Sequence, residues 1–260
     1  MHAASTNAPS LVLLALLGLA LAWLGCIKIP LPLWTCTETF VADKVGTGDL
    51  LLFRTGKHDF RLSSVVTRVV ISHVGIAISA KDAWRDFGHA APLVLECHSR
   101  CNSQLPDIRK GGRRAGVQLH ALEHRIEEYA RMGGTVGTRR LVGPPLRVNP
   151  EDVPEQDTFP SDWNMFLSGG FQLLRDRYGL RGRRPKVLDT LFCSPFVAHM
   201  YLRLRVLERC DMPEQLVYPD QFFDAAGGVG LDARLATTPA YHFDSAVRWN
   251  LEAQNFHATQ

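Results

Sequence analysis

Asp189–Tyr201 reads DTLFCSPFVAHMY, a short apolar run that changes character at one cysteine, Cys193. From there Phe196, Val197, Met200, Tyr201, Leu204 and Leu207 recur at spacings of three and four, which predicts one apolar helix face. Ser194 and Pro195 suit the cap and first turn, where a missing N–H costs nothing. Cys193 is thereby expected at a helix N-terminus, where the dipole and first-turn N–H groups favour a thiolate. The same N–H groups can hold the oxyanion of a tetrahedral intermediate. A lone cysteine also packs as a small hydrophobe, so its own stretch leaves a core residue and a nucleophile both open.

A thiol nucleophile needs an imidazole base and a polar group to orient it. Among ten histidines, His58, His89, His120, His124, His242 and His257 have polar or flexible sequence surroundings. His199 lies six positions beyond Cys193, well round the predicted helix. His73 differs, because it opens the apolar strand-like run HVGIAIS and must there reach a cleft or find a partner. Glu96 sits within LVLECHS, where a carboxylate is costly unless paired. If the two runs are neighbouring strands, Glu96 can orient His73; a purely structural His–Glu pair is the alternative. Glu96–Cys101, ECHSRC, groups two thiols and a histidine, but no second CxxC or HxxxH pair follows, so no metal and no cofactor is predicted.

The elements that must position these groups can be read from the pattern. Gly46–Gly56 reads as a buried strand ending in a turn, Asp59–Val70 as a short helix, and Ser72–Ser79 and Pro92–Ser99 as adjacent strands joined by a loop. Gly116–Leu122 reads as another strand, followed by the charged helix EHRIEEYARM and a strand over Thr135–Gly143. Pro144–Asp162 is a proline-rich, acidic connector, and Trp163–Gly179 a helix with a Gly169–Gly170 interruption.

With 260 residues, 46% of them hydrophobic, the chain can bury a sizeable core. A net charge of +3 is too mild and scattered to indicate nucleic acid. Six cysteines are too sparse for a disulfide scaffold. Leu11–Ile27 is uncharged and, as a helix, about 25 Å long, the short end of a membrane span. Lys28, Pro30, Pro32 and Trp34 follow it as a helix stop and an interfacial aromatic, which favours a single-pass anchor. A cleaved signal peptide and a lipoprotein signal ending at Cys26 are the alternatives, with orientation open between membrane association and a secretory lumen.

Gly48–Phe53 (GDLLLF), Ser72–Ile76 (SHVGI), Val94–Cys97 (VLEC), Phe192–Tyr201 (FCSPFVAHMY) and Val217–Phe223 (VYPDQFF) together resemble the permuted papain-like amidases of the YiiX/YaeF type, within the NlpC-like cysteine hydrolases. The order His, Glu, Cys is similar to that of the circularly permuted members. Pro195 departs from the acidic residue that often follows the Cys-Ser pair in related sequences. The resemblance implies an α+β fold, a small antiparallel sheet or half-barrel packed on the cysteine-bearing helix. It implies Cys193 as nucleophile, His73 as general base and acid, and Glu96 as the orienting residue. The expected organisation is a signal-anchor or signal segment over residues 1–34 and a hydrolase domain over 45–250. The expected activity is cleavage of a peptide or lipid amide through an acyl-thioester, at a membrane and without nucleic acid. Acyl transfer to lipid, and an inactive membrane-tethered binding protein, are the alternatives.

Overall fold

Apolar runs bounded by glycine, proline and polar turns become the central strands, as their β-branched and leucine content requires. The computed structural model describes residues 36–54, 71–99, 103–157, 192–210, 217, 222, 231 and 235–250. Among them run β1 (Cys36–Thr39), β2 (Leu50–Arg54), β3 (His73–Ile78), α1 (Ala80–Phe87), β4 (Leu93–His98), β5 (Gly116–Ala121), α2 (Leu122–Arg131), β6 (Thr135–Arg139) and β7 (Leu141–Val142). They are followed by α3 (Cys193–Arg203), β8 (Leu207–Cys210), β9 (Leu235–Thr237), β10 (His242–Phe243) and β11 (Val247–Asn250). The expected helices over Asp59–Val70 and Trp163–Gly179 and the apolar segment Leu11–Ile27 lie outside the described residues. No described helix is long and apolar enough to cross a membrane.

A seven-stranded sheet has the order β1-β11-β6-β2-β3-β4-β5, with β8–β9 and β10–β7 as separate two-stranded pairs. The fold is α+β, and the large sheet is mixed rather than purely antiparallel, because β1 and β11 run parallel at one edge. β1 also brings residues ahead of Val45 into the sheet, upstream of the expected domain start. The predicted neighbours β3 and β4 are antiparallel, with Ile76 opposite Leu95 and Ile78 opposite Leu93.

Alternation along these strands divides the core between the two sheet faces. Val74, Ile76, Ile78, Leu93, Leu95 and Cys97 join α3 residues Phe196, Val197, Met200 and Tyr201 in one cluster. Leu51, Phe53, Ala77 and Val94 join α2 residues Leu122, Ile126 and Tyr129 in the other. Gly75 is required by close packing: a Cβ there would sit 2.9 Å from Val94 Cγ2 and 3.2 Å from the Leu95 carbonyl oxygen.

Several boundaries differ from the sequence pattern for local reasons. The expected loop between β3 and β4 contains α1, capped by Ser79, whose side chain accepts from the Asp82 N–H, and closed by Gly88 at φ 69°. The strand expected over Thr135–Gly143 is split into β6 and β7. α3 was expected to continue to Leu207, but Arg205 adopts φ 58° and Leu207 opens β8. Its N-cap is Phe192, with no side-chain cap, so Ser194 lies inside the first turn and donates instead to the Val217 carbonyl at 2.7 Å.

Tyr201, fully buried on α3, donates to the Gly48 carbonyl at 2.9 Å and ties that helix to the turn entering β2. Tyr201→Phe strands this acceptor and is expected to cost about 1–3 kcal/mol. Urea denaturation checks this: the midpoint falls while the m-value stays unchanged.

Candidate active site

His73 opens β3 and Glu96 lies near the end of its antiparallel neighbour β4, so both stand at one end of the sheet. Both side chains occupy the α2 face, where the ring of Phe53, paired with His73, lies tilted by 46° to the imidazole at 5.6 Å between centroids. α3 packs on the opposite face and presents its first residue, Cys193, at that same end. The sheet end is where groups from opposite faces meet.

His73 Nε2 lies 2.5 Å from Glu96 Oε2. The ring also hydrogen-bonds Cys193, which leaves Nδ1 as the nitrogen for sulfur. Burial alone would lower the His73 pKa, but the interactions with Cys193 and Glu96 outweigh it and raise the value to about 9. The imidazole is therefore poised as an imidazolium held by the Glu96 carboxylate, with Cys193 as its other neighbour. Cys193 is 7% exposed and His73 6%, so reactive atoms stand at the edge of solvent while Glu96 is wholly buried.

The sequence reasoning missed what holds Glu96. Arg125 on α2 is fully buried, with Nε 2.7 Å from Glu96 Oε1 and Nη2 donating to Oε2 at 3.3 Å. Its other side pairs with Glu128, and its guanidinium lies 4.9 Å from the Tyr129 ring centroid. Burial disfavours the Glu96 carboxylate, yet Arg125, His98 and His73 hold its pKa well below the ordinary value of 4.5. A signal for Arg125 existed: it stands between Leu122, Ile126 and Tyr129 on the apolar stripe of α2.

His120 corrects the expectation of a polar or flexible setting, since it is fully buried on β5. His98 and His120 approach at 3.1 Å between their Nε2 atoms. Glu96, His98 and His120 offer ligand atoms within 4.8 Å of one another. Burial, opposed by the Glu96 charge, pushes His98 down to about 4 and leaves it neutral at pH 7. Cys97 points to the α3 face, away from His98, so its thiol does not join that group; Cys101 lies outside the described residues. His124 and His242 are exposed and His89 and His199 half-buried; His58 and His257 lie outside the described residues.

The sequence matches no protein-family model and no curated protein. The chemistry of the site rests on its own geometry: a thiol, an imidazole and a buried carboxylate in series, with a guanidinium behind the carboxylate.

Arg125→Met leaves Glu96 buried without its strongest compensating charge and is expected to cost about 3–5 kcal/mol at pH 7. In the wild type the stabilisation from ionised Glu96 is present above about 4.5 and is lost as the pH falls through the depressed folded value. The penalty of Arg125→Met should therefore shrink towards acid pH, where the variant's carboxyl takes up a proton. Urea titrations of both proteins from pH 7 to pH 4 check the sign.

Proposed function

We propose that the chain is a membrane-associated cysteine hydrolase of the permuted papain-like type, cleaving an amide of a peptide or lipid through an acyl-thioester on Cys193. The observation that carries this reading is His73 set between the Cys193 sulfur and the Glu96 carboxylate. The N-terminal apolar segment Leu11–Ile27 supports the membrane association.

In acylation the Cys193 thiolate attacks the amide carbonyl carbon and forms the C–S bond. The oxyanion is stabilised by first-turn N–H groups of α3; Pro195 has none, so Cys193 and Ser194 supply them. The His73 imidazolium gives its Nδ1 proton to the leaving nitrogen as the C–N bond breaks. In deacylation neutral His73 takes a proton from water, whose oxygen attacks the thioester. The C–S bond breaks, the acid leaves, and thiolate and imidazolium are restored.

Glu96 fixes the ring by accepting from Nε2–H, which leaves Nδ1 as the nitrogen that exchanges protons. It also stabilises the imidazolium that each cycle regenerates, as an orienting carboxylate does in other triads.

A thiol-directed acylating probe tests the assignment. Labelling should map to Cys193, vanish in Cys193→Ala, and slow by about 10²- to 10⁴-fold in His73→Ala. Equal labelling of Cys193→Ala would sink it. With an amide substrate, free acid should accumulate even when amine or lipid acceptors are added; transfer of the acyl group to them would replace hydrolysis by acyl transfer. Acylation should fall as the pH rises through about 9, where His73 loses the proton it donates. An alkaline limb near the ordinary histidine value of 6.5 would contradict the ion pair.

A further inference from the structure

Next to the triad, on the same sheet face, lies a cluster that the hydrolytic steps do not use. Glu96 and His98 alternate along β4, and His120 projects from β5, which pairs Glu96 with Gln118 and Val94 with His120. The ladder thereby supplies across strands the second histidine that ECHSRC lacks along the chain. All three side chains are at most 1% exposed.

The hydrogen bonds of the two rings define their free nitrogens. His120 Nδ1 lies 3.0 Å from the Pro106 carbonyl oxygen, and His98 Nδ1 lies 2.8 Å from that of Ser99. A carbonyl only accepts, so each Nδ1 carries a hydrogen when it makes that bond. Both Nε2 atoms then present lone pairs to each other at 3.1 Å, which is repulsive unless a cation lies between them. Tethering of one imidazole nitrogen to a backbone carbonyl is also what orients metal-binding histidines. The Gln118 amide nitrogen, which donates to the Arg114 carbonyl at 3.0 Å, also lies 3.3 Å from His98 Nδ1, but the Ser99 carbonyl is closer at 2.8 Å and can only accept, which places the hydrogen on Nδ1.

Glu96 Oε1 completes the set at 3.7 Å from His98 Nε2 and 3.8 Å from His120 Nε2. Although Arg125 Nε is 2.7 Å away, Oε1 accepts no hydrogen bond among the described residues.

We propose that Glu96, His98 and His120 bind one divalent ion of the zinc class. An ion about 2.05 Å from both nitrogens would subtend an angle of about 98° at their observed spacing. Drawing Oε1 inward by about 0.3 Å brings it to the N···O separation of roughly 3.4 Å expected of a tetrahedral site. Two imidazoles and one carboxylate suit zinc better than magnesium or calcium, which prefer oxygen. Held this way, Glu96 would carry the metal on Oε1 and His73 on Oε2.

The test is zinc binding by the full-length protein after chelator stripping and dialysis, read by competition with a chromophoric chelator. One equivalent should bind, and His98→Gln and His120→Gln should each weaken it at least about 100-fold. Cys193→Ala should bind as wild type does, which separates this site from the proposed nucleophile and keeps the outcome independent of hydrolysis. X-ray absorption of the zinc-loaded wild type should show imidazole and oxygen scatterers without sulfur, a readout that does not depend on folding of the variants. Failure of the wild type to bind, binding that survives both histidine substitutions, loss of binding in Cys193→Ala, or a sulfur scatterer would each overturn the proposal.

Discussion

The series from Arg125 to His73 depends on keeping the Glu96 carboxylate ionised away from water. Burying a charge costs several kcal/mol unless other charges and hydrogen bonds replace its hydration. Here Arg125 approaches both oxygens and His73 takes one of them. Without Arg125 the carboxyl would tend to neutralise, and a neutral acid would neither hold the His73 imidazolium nor fix its tautomer. The guanidinium therefore acts on the thiol through two intermediaries, first the carboxylate and then the imidazole.

The fold makes this series possible by assigning its members to different faces. α2 lies over one face and brings Arg125 beneath Glu96; α3 lies over the other and brings Cys193 by its first residue. Only at the strand ends can side chains from both faces meet without crossing the backbone. β3 starts at His73, so the imidazole has the sheet behind it and the helix terminus in front. Gly75 contributes by omission, because a side chain there would press on Val94 and the Leu95 carbonyl beside Glu96.

The parts of the site on strands were legible in the sequence because a polar residue in an apolar run is conspicuous. His73 and Glu96 stood out for that reason, and their strands pair as expected. His120 was hidden by GVQLHAL, whose alternation suggests a strand with one solvated face, whereas both faces of β5 are covered. Arg125 was hidden differently: EHRIEEYARM carries so many charges that only the 3.6-residue period distinguishes the buried one from its exposed neighbours. β1 had no apolar signal, since CTET is exposed along its length and owes its strand form to parallel pairing with β11, more than two hundred positions away. The end of α3 was misplaced because Leu204 and Leu207 continue the helical spacing, while the left-handed turn at Arg205 sends the chain into β8.

The Glu96–Arg125 pair is better explained by orientation than by stability. Replacing a buried ion pair with apolar residues of similar volume is often neutral or stabilising, because desolvation consumes most of the attraction. α2 could have met the sheet with a leucine at position 125 and continued the stripe of Leu122, Ile126 and Tyr129. What a leucine could not do is hold an anion at a fixed point beside His73. The interaction that matters is thus directional: the guanidinium fixes the carboxylate, the carboxylate fixes Nε2, and Nδ1 is left facing sulfur. In that order a costly buried charge becomes the means by which a helix on one face of the sheet sets the proton position for a thiol on the other.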